Sequence, residues 1–163
     1  MTTPHARHPR TPDDDPRRPR AVHLRAAREL LGVAPEAMAE LLGVADRTYR
    51  AWESGRNPVP VGVADEVGGR VAQTLALADK IAARLREAAD ADPDGPPAAV
   101  VAHTSDAEYR RAHPGAALTA RWWRLVCLLA VARAPGARVI GPEDAARYRV
   151  VPAAPPAGAR TRP

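Results

Sequence analysis

The sequence predicts a mainly α chain, with a bundle of short helices near the N-terminus, one long connecting helix and a small α+β C-terminal part. Three observations predict it. Apolar residues recur at three- and four-residue spacing through most of Ala21 to Ala91. Hydrophobic residues make up 45% of the chain but aromatics only 4%, so Leu, Val and three Trp must supply the apolar mass, which suits small helical layers. Two short runs, Ala98 to His103 and Arg138 to Ile140, read as strands.

Residues 1–20, MTTPHARHPRTPDDDPRRPR, have almost nothing to bury and repeated Pro, so disorder is expected. Arg7, Arg10, Arg17, Arg18 and Arg20 are spaced as a basic arm that could follow DNA phosphates, although Asp13, Asp14 and Asp15 interrupt it. The first helix is expected from Ala21 to Leu31, with Leu24, Ala27, Leu30 and Leu31 on one face and Gly32 as its stop.

The stretch from Pro35 to Ser54 reads as a helix-turn-helix. Pro35 suits a first helical turn, where its missing N–H costs nothing, and Met38, Leu41 and Leu42 form an apolar stripe while Glu36 and Glu40 face water. Ala39 stands where the two helices approach most closely, and Gly43 supplies the left-handed residue that ends the first of them. After Val44, a second helix is expected from Asp46 to Ser54 with Tyr49 and Trp52 inward. Asp46, Arg47, Arg50 and Ala51 are left outward, the face such a motif lays into a DNA major groove; Arg47 and Arg50 suit guanine, and Asp46 suits cytosine N4. Gly55 ends the helix, and Arg56 and Asn57 follow where a DNA backbone would pass. Val59 and Val61 are expected to close this domain at residue 62.

These residues carry a resemblance. From Leu24 to Pro60 the motifs LRxxRxxLG, AELLGV and YxxWExGxxPVP resemble the lambda-repressor and Cro-like (XRE) DNA-binding domains. The resemblance implies that Arg28 pairs with Glu53, tying the first helix to the end of the recognition helix. Two departures stand out: Pro35 replaces the Gln often found at the start of the motif, and Ala45 replaces a capping Ser or Thr.

A long amphipathic helix is expected over Val63 to Ala91, with Val67, Val71, Leu75, Ala78, Ala82, Leu85 and Ala89 forming a seam. Residues 92–97 are a turn-rich linker to the first strand. Ser105 suits the cap of a short helix to Ala112, with Tyr109 inward. Thr119 suits the cap of the most hydrophobic helix, which carries Trp122, Trp123, Leu125, Val126, Leu128, Leu129 and Val131. Past Gly141, residues 141–163 read as a Pro/Ala tail with little structure.

In this half, residues 63–140, the order of long helix, strand, AHTSDAEYRRAHPGAA and Trp-bearing helix is similar to YdiL-like proteins and the anti-CRISPR-associated autoregulators, a resemblance that covers about Ala21 to Ile140. That resemblance implies a homodimer formed through the C-terminal part, and a role for some members as repressors of their own operon. The surface expected to serve comprises Val71, Leu75, Leu85, Trp122, Trp123, Leu125 and Leu129. The competing arrangement has both stripes cover each other inside one monomer.

Other classes find little support. The five His show no ligand spacing around a Cys or acidic pair, and no Gly-rich phosphate loop is present, so neither catalysis, metal nor cofactor is expected. Cys127, the single cysteine, fits a reducing cytoplasm, and no apolar run reaches the roughly 18 residues of a membrane span. The formal net charge of +5 is compatible with nucleic acid. The function expected is a sequence-specific, homodimeric regulator of double-stranded DNA. Two alternatives stand beside it: an antitoxin whose Trp-rich half faces a toxin, and a protein- or RNA-interaction module on the same fold.

Overall fold

The computed structural model describes residues 20–116 and 118–155. The basic arm expected over 1–20 therefore lies, apart from Arg20, outside the described residues. The helices are α1 (Ala21–Leu30), α2 (Pro35–Leu41), α3 (Asp46–Glu53), α4 (Val61–Ala91), α5 (Asp106–Ala112) and α6 (Ala120–Val131). The strands are β1 (Ala98–Val101), β2 (Arg138–Ile140) and β3 (Arg149–Val150). The protein is mainly helical, with one small C-terminal sheet of three strands.

α4 joins the two halves. Its 31 residues span about 46 Å at 1.5 Å per residue, enough to pack against α1 at one end and against α6 and β1 at the other. Gly62, Gly68 and Gly69 weaken its first half by up to about 1 kcal/mol each relative to Ala. Burial of Val67, Thr74, Ala78, Ile81, Ala82 and Leu85 offsets that loss. The helix begins at Val61, two residues earlier than expected, because Pro60 serves as the extended residue before the first turn. Val61 consequently points to solvent at 61% exposure, and of the two valines only Val59, at 2%, joins the core.

Each half of the C-terminal layer is tied by side-chain caps. Ser105 Oγ accepts from the Glu108 N–H and opens α5; Thr119 Oγ1 accepts from the Trp122 N–H and opens α6. Asp106 accepts from the Ala120 N–H at 2.7 Å, linking the two helix starts. α6 is the helix that must be covered on most sides, and α4 and β1 cover it. Trp122 Nε1 donates to Thr74 Oγ1 on α4 at 3.1 Å, and Trp123 Nε1 donates to the Val101 carbonyl at 2.9 Å.

The sheet order is β2-β1-β3, with both outer strands parallel to β1; Val100 pairs with Val139, and Ala99 with Val150. A central parallel strand covered by helices reads as a short continuous apolar run, which suits Ala98, Ala99 and Val100, all buried. The expectation of little structure past Gly141 is corrected for residues 142–151, while 156–163 lie outside the described residues. A 3-10 helix, Pro142–Arg147, returns the chain to the open edge of β1, where Arg149 N–H bonds to Pro97 and Val151 N–H to Ala99. Arg149 anchors the strand to α4 through the Ala88 carbonyl and the Asp92 carboxylate, and Val151 is buried.

His103, Tyr109, His113 and Trp123 form an aromatic cluster between α5, α6 and the end of β1, with the two imidazoles 5.6 Å apart. Burial, and then the neighbouring charge of His103, hold the His113 pKa below its usual 6.5. The unfolded chain therefore binds the proton more readily. Stability is full above about pH 6.5 and is lost as the pH falls below it, levelling off below the folded pKa. Melting temperatures recorded from pH 7.5 to 5 are expected to fall, and His113→Asn to flatten that dependence. An unchanged slope in the variant would place the acid sensitivity elsewhere.

Candidate nucleic-acid interface

α2 and α3 meet across a turn whose geometry follows from Gly43. It adopts φ +64°, and its N–H and that of Val44 close back on the Glu40 and Ala39 carbonyls, leaving Ala39 buried at the crossing. α3 then presents Tyr49 fully and Trp52 partly to the core. Asp46, Arg47 and Arg50 are exposed, but Ala51 is buried and leaves the outward face. Ala45 gives α3 no side-chain cap, and Asp46 in the first turn favours the positive end of the helix dipole.

Past α3, Gly55 takes φ +76° and the Asn57 N–H bonds back to the Ala51 carbonyl at 3.0 Å. This reversal sets Arg56 and Asn57 on the surface beside the end of the recognition helix.

Arg28 and Glu53 are brought together. Arg28 Nε donates to Glu53 Oε1 at 2.6 Å, with side-chain exposures of 13% and 8%, and Arg28 Nη1 also donates to the Val33 carbonyl. Tyr49 donates its hydroxyl to the same carboxylate. Burial by itself lowers the Arg28 pKa, but the hydrogen bond and charge of Glu53 outweigh it and raise it. Burial and the same carboxylate push the Tyr49 phenol up, so it stays a donor. Two helices, α1 and α3, are thereby tied through one buried acid, and Arg28 adds the Val33 loop to the same knot.

The outward face itself differs from expectation. Asp46 accepts from Arg50 Nε at 2.8 Å, one helical turn away, and Glu36 in the first turn of α2 accepts from Arg50 Nη2. Asp46 is thus engaged by its own helix. Glu36, expected only to face water, is a partner of the recognition helix that sequence reading missed. A Glu at the start of α2 lies 14 residues from Arg50, a separation no helical period reveals. Arg47 and Arg56 form no ion pair with the described residues.

The proposed dimer residues divide. Leu85, Trp122 and Trp123 are buried in the chain's own core, at 0%, 3% and 0%, because α4, α6 and β1 cover one another. They are corrected to core residues. Val71, Leu75, Leu125 and Leu129 are partly buried, and Leu128 is 60% exposed. Val71 and Leu75 line an apolar groove of about 410 Å³ together with Leu30 and Ala26 of α1. Cys127 is buried, and burial pushes its thiol up to about 12, so it is a neutral core group. Among the described residues, no group of three or more metal-binding side chains gathers, and no helix is long and apolar enough to cross a membrane.

Residues 24–67 match the family model for the helix-turn-helix, of the XRE type. The match spans α1 from Leu24 onward, all of α2 and α3, and the start of α4, and it suggests a DNA-binding regulator, a class that is generally non-enzymatic. No curated protein matches the chain.

Proposed function

We propose that the protein is a sequence-specific, homodimeric transcriptional regulator, an autorepressor that lays α3 into the major groove of an inverted-repeat operator. The observation that carries this reading is the exposed α3 face with Arg47 and Arg50, held at a fixed angle by the buried Arg28–Glu53 pair and flanked by Arg56 and Asn57. In it, Arg47 and Arg50 read bases, while Arg56 and Asn57 contact phosphate. One such face makes few contacts, too few for the roughly 10⁻⁸ M or tighter binding of a specific regulator. Two copies joined through a shared surface turn the second half-site into an intramolecular contact. Of the stripes on α4 and α6, the partly buried residues Val71, Leu75, Leu125 and Leu129, with the exposed Leu128, offer apolar surface for that purpose.

The test is selection of duplexes from a random pool by the full chain, with light scattering of the same sample. The expected result is a dimer and an inverted repeat with half-sites about one helical turn, roughly 34 Å, apart. Arg56→Ala should then weaken all duplexes alike and reduce the salt slope by about one, whereas Arg47→Ala relaxes preference at particular base pairs. A monomer that binds its selected site tightly defeats the dimer reading. Recovery of no sequence defeats the regulator reading and favours an interaction module. Co-purification of an unrelated small protein favours an antitoxin, and since Trp122 and Trp123 are internal, such a partner has to use the Leu125, Leu128 and Leu129 face.

A further inference from the structure

We propose that Asp46 and Glu36 are positioning residues for Arg50: the two carboxylates grip its guanidinium at Nε and Nη2 so that the Nη1/Nη2 end is presented, already oriented, to a guanine. The inference rests on the proposed DNA-binding reading and adds to it the device by which one base is read. Asp46 accepts from Nε at 2.8 Å, and Glu36, reaching across from α2, accepts from Nη2. A guanidinium carries five N–H donors in a rigid fork, so these two bonds leave both donors of Nη1 and one of Nη2. Guanine offers two acceptors, O6 and N7, on its major-groove edge, and a parallel pair of N–H donors matches them.

The arrangement has two consequences of opposite sign. An exposed arginine on a flexible stem must be ordered when it binds a base, and two fixed carboxylates do that ordering beforehand, which favours the cognate base pair. The same two carboxylates carry two negative charges against one positive, so the cluster as a whole repels phosphate and lowers sequence-independent binding. A pair of surface ion pairs with no positioning role would show only the second effect, and a lock that hides Arg50 would show only inhibition, so the loss of discrimination at one base pair is the diagnostic readout.

Duplex binding of the full chain is measured on the selected site, on that site with the Arg50-read G·C pair changed, and on a random duplex, for the wild type, Glu36→Gln, Asp46→Asn, Arg50→Ala and Glu36→Gln/Arg50→Ala. Arg50→Ala should lose about 5- to 150-fold of discrimination at one G·C pair. Glu36→Gln and Asp46→Asn should each lose several-fold at that same pair while binding the random duplex more tightly at low salt. In the Arg50→Ala background, Glu36→Gln should cost no further discrimination. Thermal melts check that the fold is intact, and an unstable variant is replaced by Glu36→Asp, expected to retain part of the preference. Wild-type discrimination in both carboxylate variants overturns the proposal. So does a gain in discrimination, the signature of a lock. A wild type that selects no sequence overturns the regulator reading and this inference with it, and that outcome is distinct from normal selection with unaffected variants.

Discussion

Arg28→Ala and Glu53→Ala are each expected to destabilise the fold by about 3–5 kcal/mol, since either change strands a mostly buried charge. Without Arg28, the Glu53 carboxylate retains only the Tyr49 hydroxyl, at 3.4 Å, as a partner. Without Glu53, the guanidinium keeps the Val33 carbonyl, which brings no full negative charge, and the exposed Glu29 carboxylate at 3.7 Å, a weaker, solvent-screened partner. The double variant removes both charges at once, so its loss should fall short of the sum by about 0.5–3 kcal/mol. Denaturant unfolding of the four proteins measures this coupling, and losses that add would show that the two side chains act independently. Replacing both by apolar residues of similar volume should come closer to neutral, because the pair's own desolvation cost disappears with it. Binding should suffer more than stability suggests, since the pair sets the angle of α3 against α1.

The parts of this fold legible in the sequence are those whose causes are local. Gly43, Gly55 and the apolar spacing around Met38 and Tyr49 specify helix ends and a buried face within a few residues, and Ser105 and Thr119 cap the helices that follow them. What stayed illegible depends on partners far along the chain. β3 is two residues long, has no periodicity to detect, and exists because β1 offers an open edge some 50 residues earlier. The apolar stripes of α4 and α6 announce that something covers them without saying whether the cover is this chain or another copy. Trp122 and Trp123 find theirs on Thr74 and Val101. At the candidate site, the residue types of α3 were readable, but the engagement of Arg50 by Glu36 required the angle between α2 and α3.

That internal cover makes a second large effect. Trp123→Ala should cost about 3–5 kcal/mol for the cavity it opens. The side chain is fully buried and stacks on Tyr109 with ring centres 6.4 Å apart, and its ring centre lies 6.1 Å from that of Trp122. A further loss of about 1–3 kcal/mol is expected if the Val101 carbonyl cannot recruit another donor, since only the weak Cys127 thiol, at 3.8 Å, remains near it. Trp123→Phe keeps most of the ring and loses the Nε1 donor, so it should cost much less than the alanine variant and isolate the hydrogen bond. The concentration dependence separates a core residue from an interface residue. A Trp123 that packed against a second copy would lower association, and the loss would shrink when wild type and variant are compared as dilute monomers. A Trp123 that packs against Tyr109 and β1 destabilises by the same amount at every concentration. Equilibrium unfolding of wild type and Trp123→Ala at two concentrations a hundredfold apart should give one ΔΔG, and a ΔΔG that vanishes on dilution would return this residue to the interface.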